Sequence, residues 1–261
     1  MTGLGAPDPW ARLAALTPAR IALGRVGAGL PTSEVLKLAL AHAKARDAVH
    51  AGLDVERVAA TIRALGLATM TAASAAPSRD IYLRRPDLGR VLSAESRAGL
   101  AACARTGCDL ALVIADGLSA TAVQAHAAPL VAALRPHLEK AGFSLAPVVI
   151  ARQARVAFGD AAGEVLQARA VVVLIGERPG LSAADSLGAY LTYAPRPGRT
   201  DAERNCVSNI RGGGLGYDEA AFKLAWLLNE ALRRRLSGIA LKDESSRLLL
   251  DGHRGADTAL L

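Results

Sequence analysis

Short apolar runs that alternate with helical stretches constrain this chain more than any other feature. The runs are Asp109–Ala115, Leu145–Ala151 and Ala170–Gly176. An unbroken apolar run, without period-two alternation, is what a strand covered on both faces needs. The segments between them, Thr121–Lys140 and Asp160–Arg169, are predicted to be helical. A fourth strand is expected at Ala189–Tyr193, followed by a long helix over Asp218–Leu236. That helix aligns Ala221, Leu224, Ala225, Leu228 and Leu232 on one face. Strands alternating with helices predict an α/β fold, a parallel sheet with helices on both faces. Such sheets hold their ligands at the carboxyl ends of the strands.

The front of the chain has a different rhythm. Residues 1–30 are rich in Gly and Pro, with one short helix candidate at Pro9–Leu16. Thr32 or Ser33 is placed to cap a helix carrying Val35, Leu36, Ala39, Leu40 and Ala43 on one apolar face. A second helix is expected from Asp54 to Leu65. This front third is predicted to be helical, with no strand of its own, and to pack on something else. Residues 71–80 are small and polar around Pro77 and read as a linker. Ser93 is placed to cap a helix running to about Arg105. The expected division is a helical extension over 1–76, a sheet domain over 77–238 and a tail over 239–261.

Composition excludes several classes. Hydrophobic residues make up 51% of the 261, enough to bury a core and exclude a disordered chain. Aromatics are only 3%, so the core must be built from Ala, Leu and Val. No apolar run reaches the roughly 18 residues of a membrane span. No basic segment followed by an apolar one opens the chain, so no secretory signal is expected. Three cysteines, Cys103, Cys108 and Cys206, form no paired motif, which favours a reduced, cytosol-like setting and no metal site. The formal charge is +7, but the arginines are scattered and no basic stripe interleaves with aromatics. That pattern predicts a solvated surface with one anionic ligand or an acidic partner rather than nucleic acid.

Three clusters could carry chemistry. Gly176-Glu177-Arg178-Pro179-Gly180 follows the third apolar run, where a ligand would sit. Its bland reading, slightly favoured by composition, is a turn with a surface Arg–Glu pair. Cys206 lies in a polar stretch, Asp201 to Arg211, before three glycines. A free Cys is usually a small buried hydrophobe, and no neighbouring His or helix start would activate it. Asp116-Gly117-Leu118-Ser119, with His126 downstream, invites a hydrolase reading. It lacks the GxSxG elbow, so Ser119 is expected to cap the helix that follows.

Several segments resemble the small subunit of ethanolamine ammonia-lyase. They are Thr17–Arg25, Ser78–Gly89, Asp109–Ser119, Leu174–Leu181 and Arg204–Ile210, in order between about Trp10 and Gly238. The resemblance implies a Rossmann-like domain behind a helical N-terminal extension. It implies adenosylcobalamin as cofactor, held between this subunit and a large TIM-barrel subunit. The family converts ethanolamine to acetaldehyde and ammonia by a radical rearrangement, with substrate contacts on the large subunit and no catalytic residue here. By motif match, the family's cofactor contacts fall on Val156 in Arg155-Val156-Ala157-Phe158-Gly159-Asp160, on Glu177 and on Cys206. The corrin is a broad, mostly apolar plate fringed by amides. Val156 can lie against it, and Glu177 can accept amide N–H bonds.

Base-on binding is expected, with the cofactor's own base on cobalt. The string closest to a cobalt-ligating histidine motif, Asp251-Gly-His253-Arg-Gly255, is followed by Ala256 where Gly is needed and follows no strand. The implied location is the cytoplasm. Some relatives carry a longer segment ahead of Thr17 that addresses them to a bacterial microcompartment, the alternative location. Two other functions compete: a non-catalytic module that assembles or solubilises a barrel partner, and an independent α/β hydrolase using Ser119.

Overall fold

The computed structural model describes residues 10–246 apart from 15, 18, 22 and 104–106. The chain begins with a short helix α1 (Ala11–Ala14) and the long helix α2 (Thr32–His50). Pro31 precedes α2, and no side chain caps it, so neither Thr32 nor Ser33 takes the expected capping role. Helix α3 (Val55–Ala64) follows, capped by Asp54, whose carboxylate accepts the Arg57 amide at 3.0 Å.

A strand then appears where none was expected. β1 (Thr69–Ala73) lies partly in the stretch read as a linker and pairs parallel to β3. Its Thr-Met-Thr-Ala-Ala sequence is short and weakly apolar because it forms a sheet edge, with a partner on one side only. Helices α4 (Arg79–Arg84) and α5 (Ala94–Cys103) follow. Ser93 Oγ accepts the Ser96 amide at 3.2 Å, in the expected place, while Arg105 lies outside the described residues.

The remaining elements are β2 (Cys108–Ala115), α6 (Ala120–Lys140), β3 (Val148–Arg152), α7 (Phe158–Val165), β4 (Ala168–Gly176), β5 (Leu187–Tyr193), β6 (Arg204–Ile210) and α8 (Tyr217–Arg234). The strand order is β1-β3-β2-β4-β5-β6. β1, β3, β2 and β4 are mutually parallel, but β5 runs antiparallel to β4 and β6 antiparallel to β5. The sheet is therefore mixed, not wholly parallel. The reason lies in the connections. A parallel return needs a crossover of a dozen or more residues, usually helical, and the β4–β5 and β5–β6 loops hold no α-helix.

β2 shows why its sequence has no alternation. Leu110, Leu112 and Ile114 face a core shared with α3, α6 and α8, while Ala111, Val113 and Ala115 face a second core shared with α5 and α7. Residues Leu110 to Ala115 are all fully buried. Each buried Val, Leu or Ile contributes about 1.5–3 kcal/mol, and this double layer anchors the strand whose end carries the site. The fold is thus α/β, with helices on both faces.

β6 was not recognisable as a strand. Ala189 pairs with Val207, yet Leu187 pairs with Ile210, so β6 carries one extra residue. Asn209 adopts a left-handed φ of 59° at this bulge. The bulge breaks period-two alternation and gives an irregular sequence pattern. No helix among the described residues is long and apolar enough to cross a membrane.

Candidate functional site

The sheet winds outward from β2. The chain passes from β2 through α6 to β3 on one side, then through α7 to β4 on the other. The carboxyl ends of β2 and β4 therefore flank the crevice where the strand order reverses, the usual ligand position in such sheets.

Backbone packs tightly there. Gly117 has a φ of 56°, a conformation that favours glycine. The Leu118 amide donates to the Gly176 carbonyl at 2.9 Å. A Cβ at Gly176 would stand 2.0 Å from the Ser119 carbonyl oxygen and 2.7 Å from that of Asp116. Below this seam, buried Asp116 accepts the amides of Gln153 at 2.8 Å and Ala154 at 3.0 Å. Arg79 Nη1 stands 3.4 Å from Asp116 and donates to the Gly117 carbonyl at 2.9 Å. Burial pushes the Asp116 carboxyl above its ordinary range, against the amides of Gln153 and Ala154 and the charge of Arg79. Arg79 Nε also donates to the Val49 carbonyl at 2.8 Å, tying α2 to the crevice.

Above the seam lies an open depression of about 430 Å³. Leu118, Val156 and Ile175 supply apolar surface, Gly117 and Gly176 supply bare backbone, and Glu177 and Tyr190 stand at its polar side. Val156 and Glu177, predicted separately from sequence, thus line one surface. Glu177 is half-buried and held in place. Its amide donates to the Ser186 carbonyl at 2.9 Å, and its carboxylate accepts the Ser186 hydroxyl and the Asn209 amide, the latter at 3.3 Å. These partners replace the Arg–Glu surface pair of the bland reading.

Cys206 does not line the depression directly. It sits on β6 opposite Tyr190 of β5. The expectation of a small buried Cys fails, because Cys206 is exposed on this strand. Its thiol is nevertheless pushed up, first by loss of water around the sulfur and then by the Glu177 charge, against the Tyr190 hydroxyl. Tyr190 is likewise raised, by burial first and then by Cys206 and Glu177. Glu177, Tyr190 and Cys206 are therefore electrostatic neighbours. A raised thiol is less readily ionised, which counts against a nucleophilic role for Cys206.

Three further residues shape the depression and were missed in the sequence: Tyr82, Arg155 and Tyr190. Tyr82 is fully buried, and its hydroxyl donates to the Ala154 carbonyl at 3.3 Å. Arg79 and Arg155 each stack on its ring, with guanidinium carbons 4.9 and 4.6 Å from the centroid. The available signal was scarcity: a Tyr in a chain with 3% aromatics is conspicuous, and Tyr82 stands in the Ser78–Gly89 segment.

The hydrolase reading does not survive the geometry. Ser119 is fully buried, donates its hydroxyl to the Ala184 carbonyl at 2.9 Å and caps α6 by accepting the Ala122 amide at 3.2 Å. His126 faces elsewhere, with Nδ1 2.9 Å from the Tyr217 hydroxyl and Nε2 3.4 Å from Asp185. The Asp251–Gly255 string lies outside the described residues.

Comparison with known proteins matches residues 7–242 to the family model "Ethanolamine ammonia-lyase light chain (EutC)". Proteins called ethanolamine ammonia-lyase small subunit are similar over nearly the whole chain. That of Xanthomonas campestris pv. campestris is 58% identical over 255 residues, covering 97% of this chain and 92% of the relative. The Bradyrhizobium diazoefficiens protein is 61% identical over 239 residues, covering 91% and 92%. The Ralstonia nicotianae protein is 54% identical over 250 residues, covering 95% and 93%.

Proposed function

The chain belongs to the ethanolamine ammonia-lyase light-chain family, and from that premise we propose that it is the small subunit of an adenosylcobalamin-dependent ammonia-lyase. It holds one side of the cofactor against a large TIM-barrel subunit, which carries the ethanolamine site. The observation that carries this reading is the gathering of Val156, Glu177 and the Tyr190–Cys206 pair around one open depression at the reversal of the sheet.

The residues fit the cofactor. Leu118, Val156 and Ile175 offer an apolar bed, and the glycines keep that bed low enough for a wide ring. Arg155, which lines the depression, has in its Nε a buried donor without a hydrogen-bond partner among the described residues. An orphaned donor beside an apolar bed suits a ligand fringed by amide carbonyls. Glu177 accepts amide N–H bonds, held at its angle by Ser186 and Asn209. The cofactor's own chemistry is cobalt–carbon cleavage to start the radical rearrangement of ethanolamine to acetaldehyde and ammonia.

A large partner is supported by the front of the chain. Val35, Leu36 and Leu40 of α2, with Val26 and Leu30 before it, are exposed, and Ala48 is the buried residue of the helix. A 19-residue helix with an uncovered apolar face needs a covering surface. Such a face suits the large subunit.

Glu177→Ala tests the cofactor assignment. Loss of a charged hydrogen-bond acceptor costs about 1.5–3 kcal/mol, so adenosylcobalamin affinity of the two-subunit complex should fall about tenfold or more. The isolated chain should stay folded, since Glu177 is outside both cores, with a urea midpoint lowered only by loss of the Ser186 and Asn209 bonds to its carboxylate. Unchanged affinity would remove Glu177 from the site.

A further inference from the structure

A second depression adjoins the first. It measures about 380 Å³, and its lining includes Arg90, Arg155, Val156, Arg199, Arg204 and the Asp201 carboxylate, which pairs with Arg204. Arg155 and Val156 belong to both depressions, so the two form one continuous surface. Four guanidinium groups around one hollow require anionic complements, and the chain supplies them for only two. Arg199 pairs with Glu203, and Arg204 with Asp160 and Asp201. Among the described residues, Arg90 and Arg155 have no carboxylate within ion-pair distance.

Arg155 is also pre-positioned. Its amide donates to the Gly89 carbonyl at 2.8 Å, its guanidinium stacks on Tyr82 at 4.6 Å, and its Nε is buried without a partner. A buried donor on a fixed cation is an open half of a charge-assisted hydrogen bond. Arg90 follows Gly89 directly, so the Gly89–Arg155 contact sets both arginines at one mouth.

We propose that this hollow holds the phosphodiester of the corrinoid's nucleotide tail, with Arg90 and Arg155 as its ligands. The inference rests on the cofactor reading above and adds a second binding locus to it. The chemistry is selective. The side-chain amides of the corrinoid are neutral, and the phosphodiester is its one anionic group. A cationic hollow that continues from an apolar bed therefore has a single complement on that ligand.

Three probes test this with the two-subunit complex. They are adenosylcobalamin, adenosylcobinamide phosphate and adenosylcobinamide, which lacks both phosphate and base. Arg90→Ala should weaken the two phosphate-bearing corrinoids about tenfold, the scale of one charge-assisted hydrogen bond. Binding of adenosylcobinamide should stay within about twofold. Arg90→Glu should enlarge the same difference, and Arg155→Met should reproduce it. Arg90 is exposed and outside both cores, so its variants remain informative if Arg155→Met disturbs Tyr82. Equal losses on all three probes, or no loss in the Arg90 variants, would overturn the assignment. So would variants that lose the large subunit on size exclusion yet bind phosphate-bearing corrinoids normally, because the hollow would then meet a protein carboxylate. A wild-type complex that binds none of the three probes would instead sink the cofactor reading itself, and this one with it.

Discussion

Arg204→Met is expected to destabilise the chain by about 3–5 kcal/mol, the cost of stranding one member of a buried ion pair. Arg204 donates through both terminal nitrogens to Asp160, each at 2.7 Å, and the two side chains are 2% and 1% exposed. Burial acts to lower the Arg204 pKa, but the hydrogen bonds and charge of Asp160 outweigh it and keep the guanidinium charged. The same guanidinium donates to Thr192 Oγ1 at 3.0 Å and to the Arg199 carbonyl at 2.9 Å. It therefore ties the edge strand β6 to β5 and, beneath the sheet, to α7. Removing it leaves the Asp160 carboxylate buried without its cation. A double variant, Arg204→Met with Asp160→Leu, should recover much of the loss, because neither charge is then stranded. Urea unfolding of the three variants measures this. A single-variant loss below about 1 kcal/mol, or losses that simply add, would show that the pair is not the clamp described. Since Cys206 lies two residues beyond Arg204, the single variant should also loosen β6 behind Tyr190, at the side of the proposed cofactor surface.

Gly176→Ala should damage stability and binding together. The added Cβ would meet the Ser119 and Asp116 carbonyl oxygens at 2.0 and 2.7 Å, and both obstacles are backbone. Overpacking of this kind costs about 1–3 kcal/mol or more, because β4 must move away from the β2–α6 turn. That movement separates Gly117 from Gly176 and tilts the bed on which the corrin would rest. Corrinoid affinity should fall by at least about tenfold in the two-subunit complex. Gly99→Ala serves as the control. Its Cβ meets nothing within 4 Å in the middle of α5, and Ala in place of Gly should raise stability by about 0.5–1 kcal/mol. If Gly176→Ala bound corrinoid as tightly as the wild type, the close seam would have no part in the site.

The parts of this fold legible in sequence are those with two buried faces. Val171 to Ile175 of β4, and its neighbour β2, have apolar neighbours above and below, so every position is apolar and the run stands out. The edges were hidden for separate reasons. Thr69–Ala73 has a partner on one side only and needs few bulky side chains. Arg204–Ile210 is interrupted by the bulge at Asn209. The direction of β5 left no mark in its own residues, because an apolar strand reads the same either way. The helix-free loop between Glu177 and Ser186 was the sign that the chain turns back.

Glu177 was legible as a candidate, against a slightly favoured surface turn, because a carboxylate after a Gly at a buried strand's end has a place in this architecture. Cys206 stood out in a polar cluster whose bland reading was favoured until the resemblance was added, and Val156 came through resemblance alone. Tyr82, Arg155 and Tyr190 act through contacts between segments far apart in the chain, such as Tyr82 with Ala154, 72 residues away. No local spacing encodes such a contact. The front third was expected to pack on something else; α3 instead packs into the chain's own core, while Val35, Leu36 and Leu40 of α2 are exposed.

The most direct test of the proposed function is reconstitution of the purified chain with its large subunit. Adenosylcobalamin binding and ammonia release from ethanolamine should be measured for each subunit alone and for the two together. The expected result is tight cofactor binding and ammonia release only when both chains are present. A large subunit that alone binds the cofactor with full affinity and releases ammonia at the full rate would contradict the claim that this chain supplies half of the site.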